Sequence, residues 1–398
     1  MTDKKLPVRI LHVVSAMDRG GAETLIMNIY RNIDREKVQF DFISHSAGTD
    51  EFEKEIEMLG GKIYYILSLG HSGPLLYVKN VMKVMNINQY AAVHIHTDFQ
   101  GGFPALAAKL SGIEHRICHS HSNHWMKNSA AAVAVLPVLR LMIKSFSTQI
   151  CSCSHDAAVF LFGKRAVDKE KVQIIKNGID LEPYLTSYGK KLSLHEEFKL
   201  DKSVKIIGHI GRFSKYKNQI YILSILKKLR EKDQAFAAVF VGDGPLKVIV
   251  EQEAEKLGLQ DYVRFLGVRE DVPRLMRGFD IFVFPSLFEG FGIVMLEAQC
   301  SGVPCVASSQ VPIETDMGLG LAEYIDLDDG VEAWSEAVQK KIQNERPSKI
   351  DIEKRLTKKG FHVKASIQKW MNLYGLKSYQ KINSEEWANE AKSVDHIV

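Results

Sequence analysis

The segment Pro285-Ser286-Leu287-Phe288-Glu289-Gly290-Phe291-Gly292-Ile293-Val294-Met295-Leu296-Glu297 sets two carboxylates in an otherwise apolar, glycine-rich run, with seven residues between them. If the run passes from a strand end through a glycine loop into a helix, Glu289 lies in the loop and Glu297 about two turns further on. Carboxyls so placed do not flank a single bond, as the pair in glycoside hydrolysis must. They suit opposite ends of an elongated ligand, with helix-start amides at Ile293 and Val294 holding negative charge between them. A nucleotide-sugar has that layout: sugar hydroxyls, a diphosphate, then ribose hydroxyls.

A basic loop, Gly211-Arg212-Phe213-Ser214-Lys215-Tyr216-Lys217-Asn218-Gln219, follows the apolar run 205–210. Arg212 offers a planar fork and Lys217 a point charge, a combination suited to a diphosphate. Lys215 reads as a solvated cation. Near the start, Gly20-Gly21-Ala22-Glu23 stands between an apolar run and a helical pattern. Adjacent glycines let backbone amides approach a ligand, and the helix start behind them carries partial positive charge. A tight turn accounts for the pair about as well.

Histidines gather in His94-Ile95-His96-Thr97-Asp98 and in His119-Ser120-His121-Ser122-Asn123-His124. No carboxylate or cysteine completes a metal set among them, so no metal site is expected. One histidine touching a sugar hydroxyl, with the rest structural, is the preferred reading. The turns 176–180, 241–246 and 265–269 each follow an apolar run, and each could line a cleft or be an ordinary turn.

These segments need a frame. Short continuous apolar runs alternate with helical patterns, giving strands at 10–14, 40–44, 62–66, 92–96 and 116–119 and helices at 22–31, 51–59, 76–86 and 103–111. After a polar stretch at 181–203 the alternation restarts. Strands then fall at 205–210, 237–241, 263–266, 281–285 and 304–307, and helices at 218–230, 247–257, 272–277 and 294–301. The fold class is therefore α/β: two Rossmann-like, doubly wound parallel-sheet domains, 1–185 and 200–360, facing across a cleft. Ligands in such sheets bind beyond the carboxyl ends of the strands. An amphipathic pattern at 362–374, with Ile367, Trp370, Met371 and Tyr374, predicts a C-terminal helix within 361–398, whose charged remainder frays.

Of the 398 residues, 45% are hydrophobic and 25% charged, which excludes disordered, collagenous and disulfide-scaffold classes. Cys118, Cys151, Cys153, Cys300 and Cys305 are odd in number and lack framework spacing, so they read as buried reduced thiols of a cytoplasmic protein. The apolar run after Arg9 reads as a strand rather than a signal peptide. No run is long enough for a membrane span.

Taken together, the Gly20-Gly21-Ala22-Glu23 loop, Asn177-Gly178-Ile179-Asp180, Gly211-Arg212 with Lys217, Gly242-Asp243-Gly244-Pro245, Phe265-Leu266-Gly267 and Glu289 through Glu297 resemble the retaining glycosyltransferases of family 4, whose fold is called GT-B. The head at 12–24 and His119-Ser120-His121 are similar to bacterial exopolysaccharide and capsule glycosyltransferases. The resemblance implies a retaining, metal-independent transferase, without cofactor, that moves a sugar from a nucleotide diphosphate sugar, weighted toward UDP, to a lipid-linked saccharide. It implies that Glu289 binds the sugar and supports charge at the anomeric carbon, while Arg212 and Lys217 hold the diphosphate. Glu297 would bind the ribose, and the backbone near Val268 and Arg269 would face the base. Phe291 and Gly292 would touch the sugar, with Gly20 or Gly21 closing on it and Gly211, Gly242, Ile293 and Val294 lining the donor site. His121 is the sugar-contacting histidine, with His119 as the alternative. Asn218 departs from the family, where glycine commonly follows the lysine, and this puts the path of the loop in question. A non-catalytic nucleotide-sugar scaffold and a GT-B sugar-nucleotide epimerase are the competing readings.

The net charge of +4 is too mild for nucleic-acid binding, yet it is concentrated. Residues 101–150 hold Lys109, Arg116, Lys127, Arg140 and Lys144 against Glu114 alone, so the whole excess falls there. In the resembling fold this window lies on the acceptor side. Lys127, Arg140 and Lys144 beside apolar residues suit peripheral contact with the inner face of an anionic membrane; a buried helix with solvated basic ends is the alternative.

Overall fold

The computed structural model describes residues 6–18, 20–46, 51–122, 130–185, 194–232 and 234–376, with the backbone alone for 130–134. Two parallel sheets organise them. The first contains β1 (Val8–Val13), β2 (Val38–Ser44), β3 (Ile63–Tyr65), β4 (Tyr90–Ile95), β5 (His115–Ser120), β6 (Gln149–Ser152) and β7 (Val172–Ile174). Their order across the sheet is β3-β2-β1-β4-β5-β6-β7. The second contains β8 (Lys205–Ile210), β9 (Phe236–Val241), β10 (Val263–Phe265), β11 (Ile281–Phe284), β12 (Cys305–Ser308) and β13 (Ala322–Ile325), in the order β10-β9-β8-β11-β12-β13.

Every residue of β2 and β9 is buried, because helices cover both faces of each sheet. The strands β6, β7 and β13 were not anticipated. They are three or four residues long, and none is a continuous apolar run.

The chain divides into two compact units. One comprises the residues up to Gly178 together with the helix Val363–Leu373, and the other comprises Ile179–His362. The helix joins the first unit because Val363, Ile367, Trp370 and Met371 recur on one side of it. That side packs into the apolar layer containing Leu25, Ile26, Ile29 and Phe40. The charged remainder, 377–398, lies outside the described residues. At the boundary of the second unit Ile179 N–H donates to Phe361 O at 2.7 Å.

In each sheet the winding direction reverses beside the unit's first strand, between β1 and β4 and again between β8 and β11. Loops leaving such a pair of strands diverge to opposite faces and leave a crevice at the carboxyl ends. All five cysteines are free and buried. Among the described residues no helix is long and apolar enough to cross a membrane.

Candidate functional site

At the switch point of the second sheet, the loops after β8 and β11 each carry half of an ion pair. Lys217 Nζ donates to Glu289 Oε1 at 2.6 Å. Glu289 is only 8% exposed, so its carboxylate depends on such a partner. The ammonium also lies 4.6 Å from the centre of the Phe284 ring, whose face supports it. Two further bonds fix the loops together: Leu287 N–H donates to Tyr216 O at 2.8 Å, and Asn218 Nδ2 donates to Pro285 O at 3.2 Å. Asn218 has a φ of 55°, in the left-handed region. That conformation favours glycine, and asparagine enters it more readily than most side chains. The departure noted in the sequence thus meets the same backbone demand and adds an anchoring amide.

The loops after β8, β9 and β10 converge through backbone. Gly242, with a φ of 128°, donates its N–H to Gly267 O at 2.7 Å. A Cβ on Gly242 would fall on the Gly211 carbonyl oxygen. Gly292, with a φ of 83°, starts the helix Ile293–Cys300, and no side chain caps that start. Its first-turn amides at Ile293 and Val294 are therefore open to an anion.

Other members of the expected set take different positions. Arg212 is exposed, and its carbonyl accepts from Gln219 Nε2 at 3.0 Å. The Phe291 ring is buried against Phe361, with ring centres 5.7 Å apart, so the backbone is what it offers a ligand. Glu297 is buried on its helix, and burial pushes its carboxyl upward from the usual range while a hydrogen bond with Tyr184 opposes the shift. The Arg269 guanidinium is taken by Asp271 at 2.7 Å and Glu197 at 3.7 Å. Val268, 43% exposed, is the open side chain of that turn.

In the first unit the histidines form a single stacked group on one face of the sheet. His12 and His94 are register partners across β1 and β4, and His119 sits beside Cys151 across β5 and β6. Alternation along a strand then brings His96 and His121 to the same side. His12 Nδ1 lies 3.1 Å from His96 Nε2, and His96 Nδ1 lies 2.8 Å from His121 Nε2. His94 Nε2 lies 3.2 Å from His119 Nδ1, and its Nδ1 lies 2.8 Å from the Tyr374 hydroxyl. Burial lowers every one of these rings, His12 and His121 to about 3, so they are neutral near pH 7. His121 is the half-buried end of its row. Its backbone N–H donates to Asp98 Oδ1 at 3.2 Å, and burial raises the Asp98 carboxyl to about 7.

Neighbours absent from the linear pattern correct the earlier view of this group. Cys151 Sγ lies 3.9 Å from His94 Nε2, so a cysteine does stand beside the histidines, and His94, His119 and Cys151 lie within ligand reach of one another. Phe284 and Tyr184 were also not singled out, and His12 and Tyr374 were read only within the head at 12–24 and the C-terminal helical pattern. Only the two His-x-His pairs carried a usable signal, since period two places both rings on one face of a strand. At Gly20, which precedes the helix Gly21–Asn32, a side chain would collide with the Glu23 carboxylate.

The basic window needs correction too. Arg140 is half-buried and engaged within the protein. Its Nη2 donates to Phe160 O at 2.5 Å and its Nε to Leu161 O at 3.2 Å, closing the end of the helix His155–Phe162. Arg116 likewise donates to Phe146 O at 2.6 Å, and Lys109 lies over the Phe146 ring. Lys144 remains exposed. Lys127 and His124 lie outside the described residues.

The sequence matches two family models, Glycosyltransferase Family 4 over residues 19–183 and Glycosyl transferases group 1 over residues 190–359. It is 39% identical over 382 residues to EpsF of Bacillus subtilis (strain 168), a glycosyltransferase by name, covering 94% of this chain and 98% of that one. It is 23% identical over 355 residues to the Escherichia coli UDP-Gal:alpha-D-GlcNAc-diphosphoundecaprenol alpha-1,3-galactosyltransferase, covering 85% and 89%. The crystal structure of Anabaena HepE with UDP and glucose has the same fold, with a TM-score of 0.72 at 20% identity over 92% of this chain and 98% of that one. The chain belongs to the family 4 glycosyltransferases and has the GT-B fold.

Proposed function

We propose that the protein transfers a sugar, with retention, from a nucleotide diphosphate sugar to a lipid-linked saccharide in exopolysaccharide or capsule synthesis. The observation that carries this reading is the Lys217–Glu289 pair at the switch point of the second sheet, at 2.6 Å. It sets a cation and a carboxylate side by side, where a diphosphate and its sugar would need them.

When a donor binds, its diphosphate competes with Glu289 for Lys217. Arg212 and the Ile293 and Val294 amides add further positive potential, and Glu289 is left to hydrogen-bond the sugar and oppose charge at the anomeric carbon. The bond from the anomeric carbon to the diphosphate oxygen breaks. An acceptor oxygen bonds to the same face of that carbon, and its proton passes to the departing phosphate. Preplaced cations act best where this charge develops, so the scheme needs no metal. Glu297 serves the ribose, the turn at Val268 the base, and His121 a sugar hydroxyl. UDP is the favoured nucleotide, because HepE was solved with UDP and the E. coli relative is named for UDP-Gal. That relative's diphosphoundecaprenol substrate favours a lipid-linked acceptor at a membrane face.

The test begins with thermal stabilisation of the protein by a panel of nucleotide-sugars. Stabilising donors are then offered with lipid-linked acceptors after chelation. Nucleotide release that depends on acceptor, with an α-linked product from an α-donor, supports the reading. Inversion at the anomeric carbon, a strict need for added metal, or release without acceptor overturns the corresponding part.

A further inference from the structure

Three imidazoles of the first unit join end to end across neighbouring strands. His12 lies inside β1, His96 follows the last residue of β4, and His121 follows the last residue of β5. These strands are adjacent in the sheet, in the order β1-β4-β5. His12 Nδ1 lies 3.1 Å from His96 Nε2, and His96 Nδ1 lies 2.8 Å from His121 Nε2. Proximity alone would also admit a metal ion among these histidines. Nitrogens that share a tetrahedral zinc ion stand about 3.3 Å apart, and both contacts in the row are shorter.

Hydrogen bonds account for the row, and they tie its three tautomers together. A neutral imidazole has one N–H and one bare nitrogen, and burial keeps all three rings neutral near pH 7. Each contact needs one donor and one acceptor. All three rings therefore carry the proton on Nδ1, or all three carry it on Nε2. The inner end decides between these. His12 Nε2 is buried and has no partner among the described residues, and the ring packs on Phe40 and Phe42, with centres 4.3 and 5.4 Å away. A proton on that nitrogen would be a buried donor with nothing to receive it, which folded proteins tolerate less than a buried acceptor left unpaired. With the protons on Nδ1, His12 donates to His96 and His96 donates to His121. At the outer end the backbone is held as well, since His121 N–H donates to Asp98 Oδ1 at 3.2 Å.

We infer that His12 and His96 are positioning residues that fix His121 as a hydrogen-bond donor through Nδ1. Which nitrogen of an imidazole carries the proton is set by the hydrogen bond the other makes. In water the Nε2–H form is favoured, and a lone His121 would offer a ligand either a donor or an acceptor. Set in the row, it offers only an N–H. It then takes a ligand atom with an open lone pair, such as a hydroxyl or carbonyl oxygen, and refuses an ammonium group. The inference rests, for its purpose, on the reading that His121 serves a sugar hydroxyl. Its test reads tautomers with no ligand present, so the two fail separately.

The experiment is nitrogen NMR of the full chain, isotopically labelled in its histidines, near neutral pH and assigned by single variants. His12, His96 and His121 should each show a protonated Nδ1 and a bare Nε2, with nitrogen–nitrogen coupling across both contacts. His96→Phe removes the inner donor and should return His121 to the Nε2–H form. His96→Asn sets an amide N–H where Nδ1 stood and should keep the parent form. Transfer should follow the tautomer at matched melting temperatures. His96→Phe should lower kcat/KM about fivefold, the size of one neutral hydrogen bond, and His96→Asn should recover it. Protons on Nε2 in the three parent rings overturn the inference, as does a parent row without coupling or a His121 tautomer unmoved by His96→Phe. A stoichiometric metal ion in the purified chain also overturns it, by giving the nitrogens another partner. Normal turnover by His121→Phe would instead remove the sugar contact alone and leave the tautomer assignment standing.

Discussion

Lys217 and Glu289, 72 residues apart in sequence, meet at 2.6 Å because the strands that deliver them are neighbours at the switch point of the second sheet. Each neutralises the other, and under the proposed function the donor diphosphate would separate them. Glu289→Ala and Lys217→Ala should each lower kcat/KM about 10²–10³-fold, the scale of losing one preplaced electrostatic contact. Their stabilities should differ from their activities. Lys217→Ala strands a nearly buried carboxylate and should lower Tm, whereas Lys217→Ala with Glu289→Gln should regain Tm but not turnover. Near-normal turnover in either single variant would remove both residues from the mechanism.

The backbone convergence at Gly242 makes a separate prediction. With a φ of 128° and the Gly211 carbonyl where a Cβ would go, alanine there meets both torsional strain and collision. Gly242→Ala should cost about 3 kcal/mol of stability and weaken donor binding, because the Gly211 loop must shift. Gly258 also has a positive φ, of 69°, but nothing surrounds its Cβ position, so Gly258→Ala should show the torsional part alone and leave donor binding intact. Chemical denaturation and nucleotide-sugar titration of the two variants separate the effects.

Much of this was legible in the chain, and what was not has a physical reason. Continuous apolar runs such as Phe236–Val241 declare a strand covered on both faces, and the glycine loop into Ile293–Cys300 declares a helix start by composition. The Gln149–Ser152 strand declares little, since two of its four residues are polar and its place is set by the strands beside it. Side-chain pairing was equally hidden. Nothing local to Phe284 indicates that a lysine from another loop will lie over its ring. Cys151 comes beside His94 only because β5 and β6 extend the sheet past β4.

Arg140 and Lys144 stand one turn apart on the same helix and looked equivalent in sequence, yet they should respond differently to substitution. Arg140 completes the carbonyls of Phe160 and Leu161 at 2.5 and 3.2 Å, and charged donors to such groups contribute about 1.5–3 kcal/mol. Arg140→Ala should therefore destabilise the protein by about 2 kcal/mol. Lys144→Ala, at an exposed position, should remain within about 0.5 kcal/mol of the parent. Equal urea midpoints for the two variants would refute the capping role.

The histidine group makes the stability of the protein depend on acid. His12, His94, His96 and His119 are almost fully buried, and burial holds each below its usual value, His12 at about 3. Protonating His12 or His119 would also create a buried N–H with nothing to receive it, since their Nε2 atoms have no partner among the described residues. In the unfolded chain all four titrate near 6.5. Below that pH the unfolded state therefore binds more protons than the folded one, and stability falls as pH falls, the decline continuing toward the folded-state values. Asp98 works in the opposite sense. Raised to about 7, it holds a proton in the folded state across the same window and offsets about one histidine. The lowered histidines, His121 among them, outnumber Asp98, so the net dependence keeps the histidine sign once the unfolded histidines are protonated. Urea midpoints measured from pH 7.5 down to pH 5 should fall steeply below about pH 6.5, and His12→Phe should make the slope shallower by about one proton. A flat profile across that range would mean that the group opens to water and titrates without unfolding.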